Sequence, residues 1–205
     1  MDHRHGVTEE SEPTATTVTV AGSKGGVGKT TTSINVAATL ADRGVDVALV
    51  ELDLATANFV DFLDLSMDAS TDPTLHEVLA GDADVGSASY EGPGGMTVVP
   101  SGPTLSGYAK ADIDNLAPTI VALRRRHEFV VVDTGAGVSR QTAEPLGIAD
   151  GVLLVSTPRV AAIRDAQKTT ELVDRFGGTI EGLVLTKSGT GASPPPGRIA
   201  EFLDL

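Results

Sequence analysis

The sequence predicts an α/β fold in three layers, with helices on both faces of a mostly parallel central sheet. Three observations carry this. Short aliphatic runs alternate with segments of helical spacing from residue 17 to residue 205. Several runs are apolar on successive residues rather than on alternate ones, as strands buried on both faces are. The first run ends in a glycine-rich turn that leads straight into a helical pattern, the layout of a βα unit.

TVTVAG at 17–22 reads as the first strand. The helix at 29–44 follows, with Ile34, Ala37, Ala38 and Ala41 at helical spacing and Gly44 as its stop. VDVALVELD at 45–53 is the second strand. Residues 54–95 hold a short helix near 74–80 and a Gly/Ser-rich loop, and MTVVP at 96–100 is the third strand. The pattern at 111–127 is a helix with Pro118 near its start or at a break. A strand at 128–133, a helix at 139–149 and a strand at 151–158 come next. The helix at 159–177 is stopped by Gly177 and Gly178, and 179–187 is the last strand. SGTGASPPPG at 188–197 is a loop, and RIAEFLDL at 198–205 starts a helix that packs on the sheet, with Ile199, Phe202 and Leu203 on one face. Residues 1–16 are polar and aperiodic, a disordered lead-in, which leaves 17–205 as one domain.

Composition narrows the chemistry. The 205 residues carry 15 Lys and Arg against 28 Asp and Glu, a formal net charge of −13. Five Phe, two Tyr and no Trp give an aliphatic core and little with which to stack on bases, so nucleic acid is an unfavourable partner. The absence of Cys excludes disulfides, zinc–thiolate sites, iron–sulfur clusters and a cysteine nucleophile. No apolar run approaches the ~20 residues of a membrane span, and the N-terminus lacks the apolar stretch of a secretory signal. The expected location is the cytoplasm, with partners carrying the protein to the membrane periphery or the cell pole.

The sharpest motif is GSKGGVGKTT at 22–31, which fits G-x-x-x-x-G-K-[ST] between a strand and a helix. Glycines there let backbone N–H groups converge on phosphate oxygens, and the helix N-terminus adds partial positive charge. Gly25, Gly26, Val27, Gly28, Lys29, Thr30 and Thr31 form the candidate cradle. Lys29 is placed to reach the β- and γ-phosphates, Thr30 to bind Mg²⁺ and Thr31 to donate to the α-phosphate. Lys24 is a second lysine in this segment, although the chain has only five. FVVVDTGAG at 129–137 puts Asp133 at a strand end, suited to the outer sphere of Mg²⁺. Asp53 ends the second strand, next to the phosphate loop if strand two neighbours strand one, and suits orientation of an attacking water.

Together these elements resemble the MinD/ParA family of P-loop ATPases, the deviant Walker A or SIMIBI class, for which KGGVGKTT at 24–31 is the signature. The likeness extends over roughly 17–190 and includes STPRVAAIRDAQKT at 156–169, which looks like the family segment N-P-E-V-x-S-x-R-D. The resemblance implies a P-loop NTPase fold and an Mg²⁺-dependent ATPase that binds ATP or ADP, forms an ATP-sandwiched homodimer, and positions division, chemotaxis or motility machinery through a cargo or activator protein. It implies that Lys24 touches the partner's phosphates, that Asp53 positions water, that Asn58 is a switch residue, that Asp133 is linked to Mg²⁺, and that Thr186 and Lys187 approach the adenine. Slow turnover without an activator is expected, because only positioning groups are evident. The rival readings are a nucleotide-binding scaffold with negligible turnover and a DNA-partition ATPase, the latter disfavoured by the charge.

The chain departs from that pattern in four places. Glu51 stands where the family usually has Asp, and Gly135 where a Pro is common. Family members continue past the last strand with another strand and a loop that closes on the base, whereas this sequence ends at Leu205, as a short homologue or a piece of a longer chain. RIAEFLDL carries two acids in its first seven residues and so lacks the basic face of a lipid-binding helix. His3 and His5 are tail residues, His76 and His127 have no partner at ligand spacing, and Arg124, Arg125 and Arg126 form a solvated cluster at a helix end.

Asp exceeds Glu and Arg exceeds Lys, a carboxylate-rich surface of the kind a halophilic archaeal homologue would carry. The unfolding midpoint is therefore expected to fall as salt is lowered from the molar to the millimolar range. Equal midpoints at both salts refute the halophilic reading.

Overall fold

A computed structural model of the chain describes residues 15–22, 24–137, 139–189 and 193–205. Seven strands form one sheet in the order β3-β4-β2-β5-β1-β6-β7. They are Thr16–Ala21 (β1), Val47–Leu52 (β2), Tyr90–Glu91 (β3), Thr97–Val99 (β4), Phe129–Thr134 (β5), Gly151–Ser156 (β6) and Ile180–Leu185 (β7). All neighbours pair in parallel except β3, which runs antiparallel to β4. The helices are Lys29–Asp42 (α1), Phe59–Leu63 (α2), Leu75–Ala80 (α3), Leu105–Lys110 (α4), Leu116–Arg124 (α5), Arg140–Ile148 (α6), Val160–Arg175 (α7) and Pro196–Phe202 (α8).

The central strands are buried on both faces, which is why they read as continuous apolar runs. On one face Val47, Leu49, Val131 and Val155 pack against Ala37 of α1 and Phe59 of α2. On the other, Ala48, Val50, Val130 and Val132 meet Leu79, Leu116, Ile120 and Leu123 of α3 and α5. The stripe Ala162, Ile163, Ala166, Thr169 and Val173 buries α7. Local chemistry sets several ends. Thr74 and Glu77 close a capping box on α3, and Ser139 with Thr142 does so on α6. Gly177, at φ 73°, takes the left-handed conformation just past α7.

Several expectations are corrected. The second strand does not neighbour the first, because β5 lies between them. The first strand begins one residue before its expected start, with Thr16 pairing with Phe129, and Ala15 before it is buried. The rest of the expected lead-in, 1–14 with His3 and His5, lies outside the described residues. The helix expected at 111–127 starts at Leu116 after a 3₁₀ turn at Ile113–Asn115, with Pro118 in its first turn, where a missing N–H costs nothing. Pro196 and Gly197 belong to α8 rather than to the loop. Ile199 and Leu203 pack on Leu154, Ile163 and Ala166, but Phe202 is exposed. Arg124 is not merely solvated, since it pairs with Asp150 at 2.7 Å. α2, α4 and the two-residue β3 were not expected at all; each is too short to show a period.

Phe59 is fully buried and anchors α2 to the sheet. Phe59→Ala is expected to lower unfolding free energy by about 3–5 kcal/mol, read as a lower denaturant midpoint with an unchanged slope.

Candidate functional site

The C-terminal edge of an open parallel sheet is where such folds collect ligands, and here the register gathers the expected residues. Asp133 pairs across β5 with Val20 of β1 and with Glu51 of β2. The loops after β1, β2 and β5 therefore leave the sheet side by side. The loop after β1 enters α1 through Gly28, whose φ of 101° is a left-handed conformation that glycine adopts without strain. Gly28 offers no side-chain cap, so the first-turn N–H groups of α1 have no partner within the helix and face the loop.

Lys29 is buried beneath this loop. Burial lowers its pKa, while the carboxylates of Asp133 and then Asp53 pull it back up. Asp133 is 1 % exposed. Its Oδ1 accepts the Ser33 hydroxyl at 2.7 Å, and Ser33 itself is fully buried on α1. Burial pushes the Asp133 carboxyl up to about 6, against the opposing pull of the Ser33 and Thr30 hydroxyls and Lys29. Its Oδ2 is buried with no hydrogen-bond partner among the described residues. An orphaned carboxylate oxygen beside a threonine at a helix start fits the hydration shell of a hard cation. Thr30 and Asp133 are thus the residues that fit Mg²⁺.

Asp53 follows β2 and lies close enough to act electrostatically on both Lys29 and Asp133. A Cβ added at Gly135 would sit 3.2 Å from Asp53 Oδ1, so the glycine where Pro is common lets the loop after β5 touch this carboxylate. Lys24 is exposed at the mouth of the loop, as are Gly25, Gly26 and Thr31, while Val27 is buried.

Thr186 and Lys187 have a role that spacing did not announce. Lys187 Nζ donates to the Gly26 carbonyl at 2.8 Å, and the Thr186 hydroxyl donates to the Val27 carbonyl. They support the loop from behind, and with Gly28, Thr31, Asn35 and Val184 they line a groove of about 660 Å³. Two further residues were missed as site residues. Ser33 reads in sequence as an ordinary helical serine. Glu51 reads only as a longer aspartate, but it is fully buried and accepts backbone N–H groups from Asn58, Phe59 and Ser101. Burial, opposed by those amides, pushes its carboxyl up to about 7. The backbone of Asn58 is thereby held in place, and its Oδ1 is buried without a partner among the described residues. His76 donates from Nε2 to the Leu54 carbonyl at 3.0 Å, next in sequence to Asp53. His127 pairs with Asp46.

Because the folded pKa of Asp133 lies above its ordinary 3.8, its contribution to stability is full below that value and is lost as pH rises through about 6. Without Mg²⁺ or nucleotide, Asp133→Asn is expected to gain roughly 1–3 kcal/mol on the parent between pH 4 and pH 7. Urea midpoints of the two proteins at fixed salt measure this, and a constant difference across that range contradicts it.

The sequence matches the AAA domain family over residues 15–182. It is 38% identical over 172 residues to an uncharacterized ATP-binding protein of Methanocaldococcus jannaschii, covering 84% of this chain and 64% of that protein. It is 32% identical over 184 residues to the antiactivator FleN of Pseudomonas aeruginosa, covering 88% and 64%. The chain thus spans just under two thirds of the length of these relatives. Among solved structures, the cell division ATPase MinD of Pyrococcus furiosus superposes with a TM-score of 0.85 at 29% identity, covering 93% of this chain and 80% of that one. The septum site-determining protein MinD of Pyrococcus horikoshii, complexed with Mg-ADP, also gives 0.85, at 27% identity and 93% and 78% coverage. Family model, relatives and solved structures agree: the chain belongs to the MinD/ParA family of P-loop ATPases.

Proposed function

We propose that this chain is an Mg²⁺-dependent ATP hydrolase that works as an ATP-driven dimerisation switch and positions other cellular machinery. The observation that carries the reading is the convergence of Lys29, Asp133 and Asp53 beneath a phosphate-type loop at the ends of three adjacent parallel strands. The names of its relatives, an antiactivator and septum site-determining proteins, favour a role in spatial or regulatory control.

The α1 N-terminus and the loop amides bind the phosphates, and Lys29 offsets their charge in a site where burial strengthens each interaction. Bound Mg²⁺, held by Thr30 and Asp133, would supply further charge neutralisation on the phosphate oxygens. Asp53 accepts a hydrogen bond from the attacking water and orients it in line. Lys24 is exposed and free to reach a second copy's nucleotide. The groove beside Thr31, Asn35, Thr186 and Lys187 receives the nucleoside. These groups position and stabilise but provide no strong base, so turnover is slow until an activator or cargo protein binds. The net charge of −13 argues against DNA as that partner. Among the described residues no helix is long and apolar enough to cross a membrane, and we assign the protein to the cytoplasm, reaching a membrane or pole only through partners.

Phosphate release in molar salt, with size measured in ADP and in ATP, tests this. Lys29→Ala, Lys24→Ala and Asp53→Ala are each expected to lower turnover by roughly 100-fold or more. Asp53→Ala still binds ATP and accumulates as a dimer, whereas Lys24→Ala stays monomeric. Undiminished hydrolysis in all three variants overturns the assignment of roles, and a monomer in ATP for Asp53→Ala overturns the switch.

A further inference from the structure

Glu51 is an unusual side chain for its place. It lies on β2, between two central strands, with no exposed surface. An unpaired carboxylate there would be costly, and among the described residues its carboxylate hydrogen bonds are all to backbone N–H groups, with the Asp133 carboxylate close enough to act on it. Oε1 accepts the N–H of Asn58 at 2.6 Å and of Phe59 at 3.0 Å. Oε2 accepts the N–H of Ser101 at 3.0 Å. The Glu51 main-chain carbonyl also accepts the Ser101 hydroxyl, at 2.8 Å.

Those partners lie on two different loops. Asn58 is the N-cap of α2, and its own side chain makes no capping bond. The sheet therefore provides, through Glu51, what the local sequence does not. Ser101 lies just beyond β4. The segment from Asp53 to Asn58 leaves β2 at one end and is fixed to the β2 carboxylate at the other. Between the ends, Thr56 N–H donates to the Asp53 carbonyl at 3.2 Å, and the Leu54 carbonyl is held by His76. A short loop pinned at both ends and once in the middle has little freedom, and the Asp53 side chain moves with it. Asp at position 51 would be shorter by one C–C bond, ~1.5 Å, too short to span from β2 to both loops. Gln keeps one acceptor oxygen and replaces the other with an NH2 group, so it would set an N–H against an N–H at one or more of the three contacts.

We propose that Glu51 is a positioning residue, whose single carboxylate ties the Asp53–Asn58 loop to the loop after β4 and so holds the Asp53 side chain in the geometry that hydrolysis requires. The functional half of this rests on the ATP-hydrolase reading above; the structural half does not.

The Glu51→Gln and Glu51→Asp variants of the 205-residue chain, with Leu123→Ala on α5 as a core control, separate the two. Amide hydrogen exchange at Asn58, Phe59 and Ser101, without nucleotide, reads the tie directly. Both Glu51 variants are expected to exchange roughly tenfold or more faster at one or both loops, while Leu123→Ala changes these amides only in step with global stability. Steady-state ATP turnover, at a temperature where all the proteins are folded, reads the consequence. In both Glu51 variants, kcat is expected to fall by roughly 10- to 100-fold with KM for ATP within about twofold. Parental exchange rates in Glu51→Gln overturn the tie. A kcat no lower than that of Leu123→Ala, or a loss confined to KM, overturns the positioning role. If the parent itself releases no phosphate, the hydrolase reading fails, while the exchange arm still decides whether Glu51 holds the loop.

Discussion

The hydrogen bond from the Ser33 hydroxyl to Asp133, 2.7 Å long and spanning 100 residues of sequence, fixes the first helix to the central strand of the sheet. It is made between two side chains that are almost wholly out of water. Such a bond is made at the expense of solvating a carboxylate, and it leaves one oxygen of that carboxylate without a partner. A fold that keeps a half-satisfied acid beneath a glycine-rich loop is set up to gain from a cation there. The burial of Lys29 and the reach of Asp53 are arranged around the same point. The local cost is one that a cation at this point would offset.

The sequence made the local parts of this arrangement readable and concealed the distant ones. KGGVGKTT between a strand and a helix, and an aspartate ending an apolar run, carry their chemistry within ten residues, and the alternation of strands and helices fixed the fold class. Ser33 carries no mark of its role, because its partner is known only once β5 is seen to lie beside β1. The same insertion of β5 explains why Asp53 reaches the site although β2 does not touch β1. Glu51 was visible as a departure from the family, but what its extra methylene reaches depends on where α2 and the end of β4 come to rest. The short elements α2, α4 and β3 escaped because five-, six- and two-residue segments hold less than two periods of any pattern.

Charge distribution ties the site to the rest of the surface. With 28 acids against 15 Lys and Arg, only five of them Lys, the chain is strongly anionic overall. Two of those five lysines lie within the loop, and a third, Lys187, braces it from behind. An acidic exterior around a small cationic mouth disfavours extended polyanions, which must contact a broad surface, and tolerates a compact one that fits inside.

The brace itself has a thermodynamic side. Thr186 and Lys187 follow β7, which pairs only with β6 among the described residues. The carbonyls of Gly26 and Val27 are therefore propped from the end of β7. Linkage makes this reciprocal: loosening of the residues after β7 weakens the loop, and a ligand seated in the loop tightens them by the same free energy. Occupancy of the loop is thus transmitted along β7 into the sheet.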